Sequence, residues 1–184
     1  MTAALLPMVI TMNLRSTSVG NRNIREMILL ALFAAMMVAT QVALSALPNI
    51  HLVGVFVILS AMLFAWKALY SIYVFVLVEG LIYGFSMWFV NYLYIWTILA
   101  IIAILCRRNK SIWFWSSVAG IFGLLFGALC SIPYFFIGGW AAGFSYWVAG
   151  IPFDLIHCAS NAVLTALLLF PMYRLCCRLL NRQA

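Results

Sequence analysis

Glu79 is a carboxylate near the middle of an otherwise apolar stretch, Ala68–Trp88. Such a group costs about 2.5–3.5 kcal/mol to place at the centre of a membrane-spanning helix, so it needs a compensating role. Tyr83 follows one helical turn later on the same face. Together they can present an acceptor and a phenol to a cavity. The competing reading is a Glu79 that is protonated, or paired with a hydroxyl or amide of another helix, and simply ties helices together. Asp154, His157 and Asn161 follow one another at spacings of three and four, which makes a single polar stripe down one helix face. Pro152 just ahead suits a helix start, where Asp154 complements the positive end of the helix dipole. His157 and Asn161 lie too deep for capping, and polar groups at depth face a cavity or one another.

The stripe admits one catalytic reading, with Asp154 and His157 as the acid/base pair of an intramembrane enzyme. Other chemistry finds little support. Among two His and three carboxylates no Ser/His/Asp assembly follows from spacing. There is no HExxH or paired metal-ligand motif. No glycine-rich phosphate loop is present, so the chain does not itself hydrolyse ATP. The expectation is no catalytic residue, no metal and no cofactor. The five cysteines, Cys106, Cys130, Cys158, Cys176 and Cys177, lack metal-type spacing and read as small packing residues rather than disulfides.

Further polar and aromatic residues gather in three places: Asn49 and His51 after Pro48, Asn91 with Tyr92 and Tyr94, and a stretch holding Tyr134, Trp140, Tyr146 and Trp147. The segment Gly138–Gly150 reads as a glycine-rich loop that changes shape while presenting flat rings, as a lid over an organic ligand would. Interfacial anchoring explains the same rings without a ligand.

Membrane-spanning helices must position these groups. Of the residues 68% are hydrophobic and 7% charged, against roughly 25% charged in soluble domains. At about 20 residues per span the chain holds one domain of about six helices. The spans read as Ile24–Leu47, stopped by Pro48, then His51–Trp66, Ala68–Trp88, Phe89–Cys106, Ile112–Ile137 and Phe153–Leu180. Residues 1–23 form an N-terminal lead and 181–184 a tail. Ala3–Met12 is apolar but too short to span and is a poor signal peptide, and Met12 reads as an alternative start.

All ten Lys and Arg residues fall in four clusters: Arg15/Arg22/Arg25, Lys67, Arg107/Arg108/Lys110 and Arg174/Arg178/Arg182. The intervening turns, Leu47–His51, Trp88–Asn91 and Gly138–Pro152, carry none. The positive-inside bias then puts the clusters and both termini in the cytoplasm and the bare turns outside. The net charge of +7 flanks apolar spans rather than lining a face interleaved with aromatics, so nucleic acid is not the expected partner. Anionic headgroups of membrane lipid, or a cytoplasmic protein, are.

Small residues recur along two helices: Ala31, Ala35 and Ala39 in the first span, and Gly120, Gly123 and Gly127 in the fifth. Each set allows close helix approach. Packing within the bundle and docking of a second membrane protein are both open for each.

The segment Ala31-Leu32-Phe33-Ala34-Ala35 in the first helix, and Gly150-Ile151-Pro152-Phe153-Asp154 leading into the last, make the chain resemble the substrate-binding S-components of energy-coupling factor (ECF) transporters. The resemblance spans about Ile24 to Leu180. It implies an all-α integral membrane bundle of six transmembrane helices in a bacterial plasma membrane. It further implies a vitamin-uptake subunit that captures its solute outside and works with a transmembrane coupling protein and two cytoplasmic ATPases. Ala31, Ala35 and Ala39 would meet the coupling protein. The turns after helices one, three and five would enclose the ligand. Nickel and cobalt members begin Met-His, whereas this chain begins Met1-Thr2, which disfavours a metal ligand. Cobalamin, a queuosine precursor, riboflavin and a pyridine vitamin remain, with cobalamin preferred for the many rings and few charges.

The expected substrate residues are Glu79, Tyr83, Asn91, Trp147, Asp154, His157 and Asn161, with Asn49, His51, Tyr134, Trp140 and Tyr146 in gating loops. Two rival functions stand beside this one: the Asp154/His157 enzyme, and a structural scaffold of the kind that organises cell-wall synthesis.

Overall fold

The computed structural model describes the backbone of residues 5–47 and 49–180, and the side chains of 23–47 and 49–180. Within them all regular structure is helical: α1 (Leu5–Ala43), α2 (Val53–Phe64), a 3₁₀ turn (Ala65–Lys67), α3 (Ala68–Tyr83), α4 (Met87–Cys106), α5 (Ile112–Leu124) and α6 (Phe126–Leu179). Four runs are long and apolar enough to cross a membrane, namely Asn23–Ala43, Val53–Tyr83, Met87–Cys106 and Ile112–Leu179. This is compatible with a multi-pass membrane protein. Two of these runs are interrupted, one at Ala65 (φ 51°) and the other at Gly139 (φ 73°) and also at Leu125, which splits the expected span Ile112–Ile137.

α2 is the centre of the fold. All twelve of its residues are buried, as a helix apolar on every side requires, and it packs against α1, α3, α4 and α6. α3 and α4 run antiparallel: Tyr73 meets Thr97 at 2.9 Å, Phe75 meets Trp96, and Gly80 lies against Phe89. That brings Lys67 and Arg107 to one end. Glu26 on α1 joins the same end through Lys67, whose Nζ lies 2.9 Å from its Oε2. Lys110 follows Arg107 and donates to the Tyr173 hydroxyl beside Arg174. The described basic segments therefore share one rim.

Residues 112–138 and 140–179 form a long antiparallel pair. Ser116 Oγ donates to the Ala162 carbonyl at 2.9 Å, and Tyr134 stacks on Tyr146 with centroids 4.2 Å apart. Between these, glycines let the backbones touch: a Cβ on Gly123 would sit 2.7 Å from the His157 carbonyl oxygen, and one on Gly120 3.3 Å from Ala162 Cβ. Of the two readings of Gly120, Gly123 and Gly127, packing within the bundle is the one observed.

Several boundaries differ from expectation. α1 ends at Ala43 rather than Leu47, where tighter bonds take over, such as Leu47 N–H to the Leu44 carbonyl at 2.8 Å. Pro48, the expected stop, lies outside the described residues, as do 1–4 and the tail 181–184. The backbone of the expected lead is helical from Leu5. The turn expected at Trp88 lies at Gly84 (φ 82°), so Trp88 opens α4 instead of closing α3. Gly138–Gly150 is not a loop but helix broken at Gly139. One left-handed glycine suffices to reverse the chain, and rings across the break hold both arms, with Phe135 packed on Trp140 and Phe144.

Candidate functional site

At the rim opposite the basic residues, the end of α1, the connection into α2, the end of α3 and the start of α4 converge on two adjoining cavities. The larger, about 290 Å³, is lined by Gln41, Ser45, Glu79, Tyr83, Trp88 and Tyr92. The smaller, about 130 Å³, shares Gln41, Ser45 and Tyr92 and adds Asn49, His51 and Phe126. Glu79 is only 2% exposed, and its Oε1 has no hydrogen-bond partner. Gln41 Oε1 is also unpartnered, while its Nε2 lies 3.5 Å from the Tyr92 hydroxyl. Unpaired buried acceptors are costly, and a bound molecule offering N–H or O–H groups removes that cost. The walls supply rings for a flat solute, with Trp88 edge-on to Tyr92 at 5.3 Å.

His51 leads inward from this space. Its ring is edge-on to His157 at 4.7 Å and to Trp96 at 5.7 Å. Burial pushes its imidazole down to about 4, so it is neutral near pH 7. Trp96 sits wholly buried at the hub, packed also on Phe75, Tyr92, Phe122 and Phe126.

The stripe on α6 is buried as expected and extends one turn further, to Thr165. Its members divide by role. Asp154 does not open a helix, because α6 continues through Pro152. Its Oδ1 instead accepts the N–H of Gly127, at 2.9 Å, in the first turn after the break at Leu125, where a carboxylate complements the helix dipole. Asn161 Nδ2 donates to the Ala119 carbonyl at 3.4 Å. His157 has no hydrogen bond at either ring nitrogen, so no Asp154–His157 bond links a catalytic pair.

Glu79, Tyr83, Asn49 and His51 are thus gathered at the two cavities, with Asp154, His157 and Asn161 packed behind. Asn91 is turned away: its Nδ2 donates to the Cys130 carbonyl at 3.3 Å, and its Oδ1 lies 3.2 Å from the Tyr94 hydroxyl. It ties α4 to α6. Trp147, Tyr134, Trp140 and Tyr146 line neither cavity and belong to the aromatic stack around Gly139. Sequence reasoning missed Gln41, Ser45 and Trp88 as lining residues and Trp96 as the hub. The available signal was Gln41, a lone amide at the uncharged end of the first span.

A separate feature lies on the flank. Ala31, Ala35 and Ala39 are exposed, and with Met27, Tyr70 and Val74 they line an apolar groove of about 800 Å³ between α1 and α3. The other face of α1, including Leu29, Phe33 and Met37, is buried. Among the described residues no group of three or more His, Cys, Asp or Glu could hold a metal ion. Comparison with protein-family models, curated proteins and solved structures finds no match to this chain.

Proposed function

We propose that this chain is the solute-capturing membrane subunit of an ECF-type importer in the bacterial plasma membrane, taking up a vitamin-like micronutrient. The observation that carries this reading is the paired cavity at the cation-free rim, where Glu79 and Gln41 hold unpaired acceptors beside the rings of Trp88 and Tyr92. With the breaks at Ala65 and Gly139 taken as reversals, the four long runs become six membrane segments. Both chain ends then fall on the basic, cytoplasmic side.

In this scheme the solute enters from outside, offers donors to Glu79 and Gln41, and stacks against the aromatic wall. Ligand pockets usually enclose about 300–1,000 Å³, so cavities of about 290 and 130 Å³ favour a small ring compound such as a pyridine vitamin. Cobalamin exceeds either space and would need the rim to open. The exposed groove at Ala31, Ala35 and Ala39 suits close approach of a coupling-protein helix. ATPases bound to that partner would drive reorientation of the loaded subunit.

The test is the purified subunit itself. Mass spectrometry of the fraction released on denaturation should find an organic solute near one per chain, and Glu79→Ala should lose it. An empty fraction, together with no vitamin raising the unfolding temperature, would overturn the proposal in favour of a scaffold.

A further inference from the structure

At the basic rim, the start of α5 and the last turns of α6 enclose a cavity of about 470 Å³, lined by Lys110, Ile112, Ala166, Phe170, Tyr173 and Arg174. One side is cationic and the other apolar. Lys110 is held in place, since its ammonium donates to the Tyr173 hydroxyl at 2.5 Å and lies 3.9 Å from that ring's centroid. Among the described residues no carboxylate neutralises either cation. The chain has three side-chain carboxylates: Glu26 meets Lys67 at the other side of the rim, Glu79 lines the opposite rim, and Asp154 accepts from Gly127. α5 also begins at this cavity, capped by Ser111 Oγ accepting from Phe114 N–H, and the start of a helix favours an anion.

We infer that this cavity binds an anionic phospholipid, its phosphate between Lys110 and Arg174 and its acyl stem along Ile112, Ala166 and Phe170. A free anion would use the cations but leave the apolar wall bare. A lipid at the membrane boundary uses both halves. The site is independent of the solute reading and of the outer cavities. Its function is to fix the α5–α6 pair at the leaflet that the basic clusters meet, where each cation near an anionic surface contributes about 1 kcal/mol.

The experiment uses the full chain in neutral detergent, with phosphatidylglycerol, phosphatidylcholine or inorganic phosphate added and bound mass read by native mass spectrometry. Phosphatidylglycerol should bind about thirtyfold more tightly than phosphatidylcholine, matching two such cations. Lys110→Ala/Arg174→Ala should erase the preference. Arg107→Ala/Arg108→Ala, which removes the same charge from the neighbouring turn, should keep it. An equal loss in both double variants would reduce the effect to general surface charge and overturn the site. Inorganic phosphate displacing the lipid at equal concentration would overturn the lipid assignment, and absence of any preference in the unsubstituted chain would overturn both.

Discussion

The imidazole of His157 stands edge-on to that of His51, centroids 4.7 Å apart and planes at 68°. One ring comes from the connection between α1 and α2 and the other from the polar stripe of α6. The contact joins the outer cavity to the core, because His51 lines that cavity while His157 is wholly buried. Ser160 fastens the same junction by donating its hydroxyl to the Asn49 carbonyl at 2.9 Å.

Stability should therefore depend on pH through His51. Burial lowers its imidazole from 6.5 to about 4, so between those values the unfolded chain binds a proton that the folded chain does not. Stability rises with pH wherever the unfolded state holds more protons. The His51 contribution should thus fall as pH drops from about 6.5 towards about 4 and level off below. In thermal unfolding in detergent from about pH 7 to about pH 4.5, His51→Phe should lose less stability than the unsubstituted chain, the difference between the two profiles being the His51 contribution. An unchanged slope in that variant would assign the dependence elsewhere.

The glycines of the α5–α6 pair should be intolerant in a graded way. A Cβ at position 123 would lie 2.7 Å from the His157 carbonyl oxygen, and one at position 127 2.4 Å from Asp154 Oδ2. The first clash is with backbone that has nowhere to rotate, the second with a side chain that can turn only by giving up the Gly127 N–H. Gly123→Ala and Gly127→Ala should each destabilise by about 1–3 kcal/mol or more. Gly150→Ala, whose nearest neighbour is 4.0 Å away, should be neutral or stabilising. Unfolding temperatures of the three variants provide the check, and equal values for all would contradict the packing described.

Glu79 and Asn91 should separate binding from stability. Asn91 spends its amide on the Cys130 carbonyl, so Asn91→Ala should cost about 1–2 kcal/mol of stability and leave solute retention per folded chain intact. Glu79→Gln replaces an unpaired acceptor oxygen by a donor, so retention should fall at least about tenfold, the effect of mispairing one buried polar contact. Its unfolding temperature, compared with that of the unsubstituted chain with both freed of solute, should hold. Retained solute and unfolding temperature, measured on the same preparations, discriminate the two residues; loss of retention in both would return Asn91 to the site.

What was legible in the sequence was whatever depends on local order. Charge sorting needs only the positions of Lys and Arg, and the antiparallel α3–α4 pair duly brings Lys67 and Arg107 to one end. The stripe Asp154–His157–Asn161 follows from helical period and is buried throughout. What was not legible depends on partners distant along the chain. Gln41 and Tyr92 meet across 51 positions, and Asn91 finds Cys130 on another helix. The Gly139 corner looked like a loop by composition because its order comes from rings that stack only once both arms are in place. Trp88 changed helices since the apolar run around it has no periodicity to mark a boundary, and Gly84, at φ 82°, was the signal overlooked.

The flank of α1 offers a test that leaves the cavities untouched. Ala31 and Ala35 are exposed in the groove against α3, whereas Ala61 on α2 is wholly buried and lies outside the groove. Ala31→Leu/Ala35→Leu adds bulk to the groove without entering the core, so unfolding temperature and solute retention should match those of the unsubstituted chain. Uptake by cells carrying the partner proteins should fall to background, because a helix that needs small side chains for close approach can no longer seat. Ala61→Leu is the contrasting change: it overpacks a buried position and should lower the unfolding temperature first. Full uptake in the double variant would show that the alanine face is a lipid-facing surface and not the docking site.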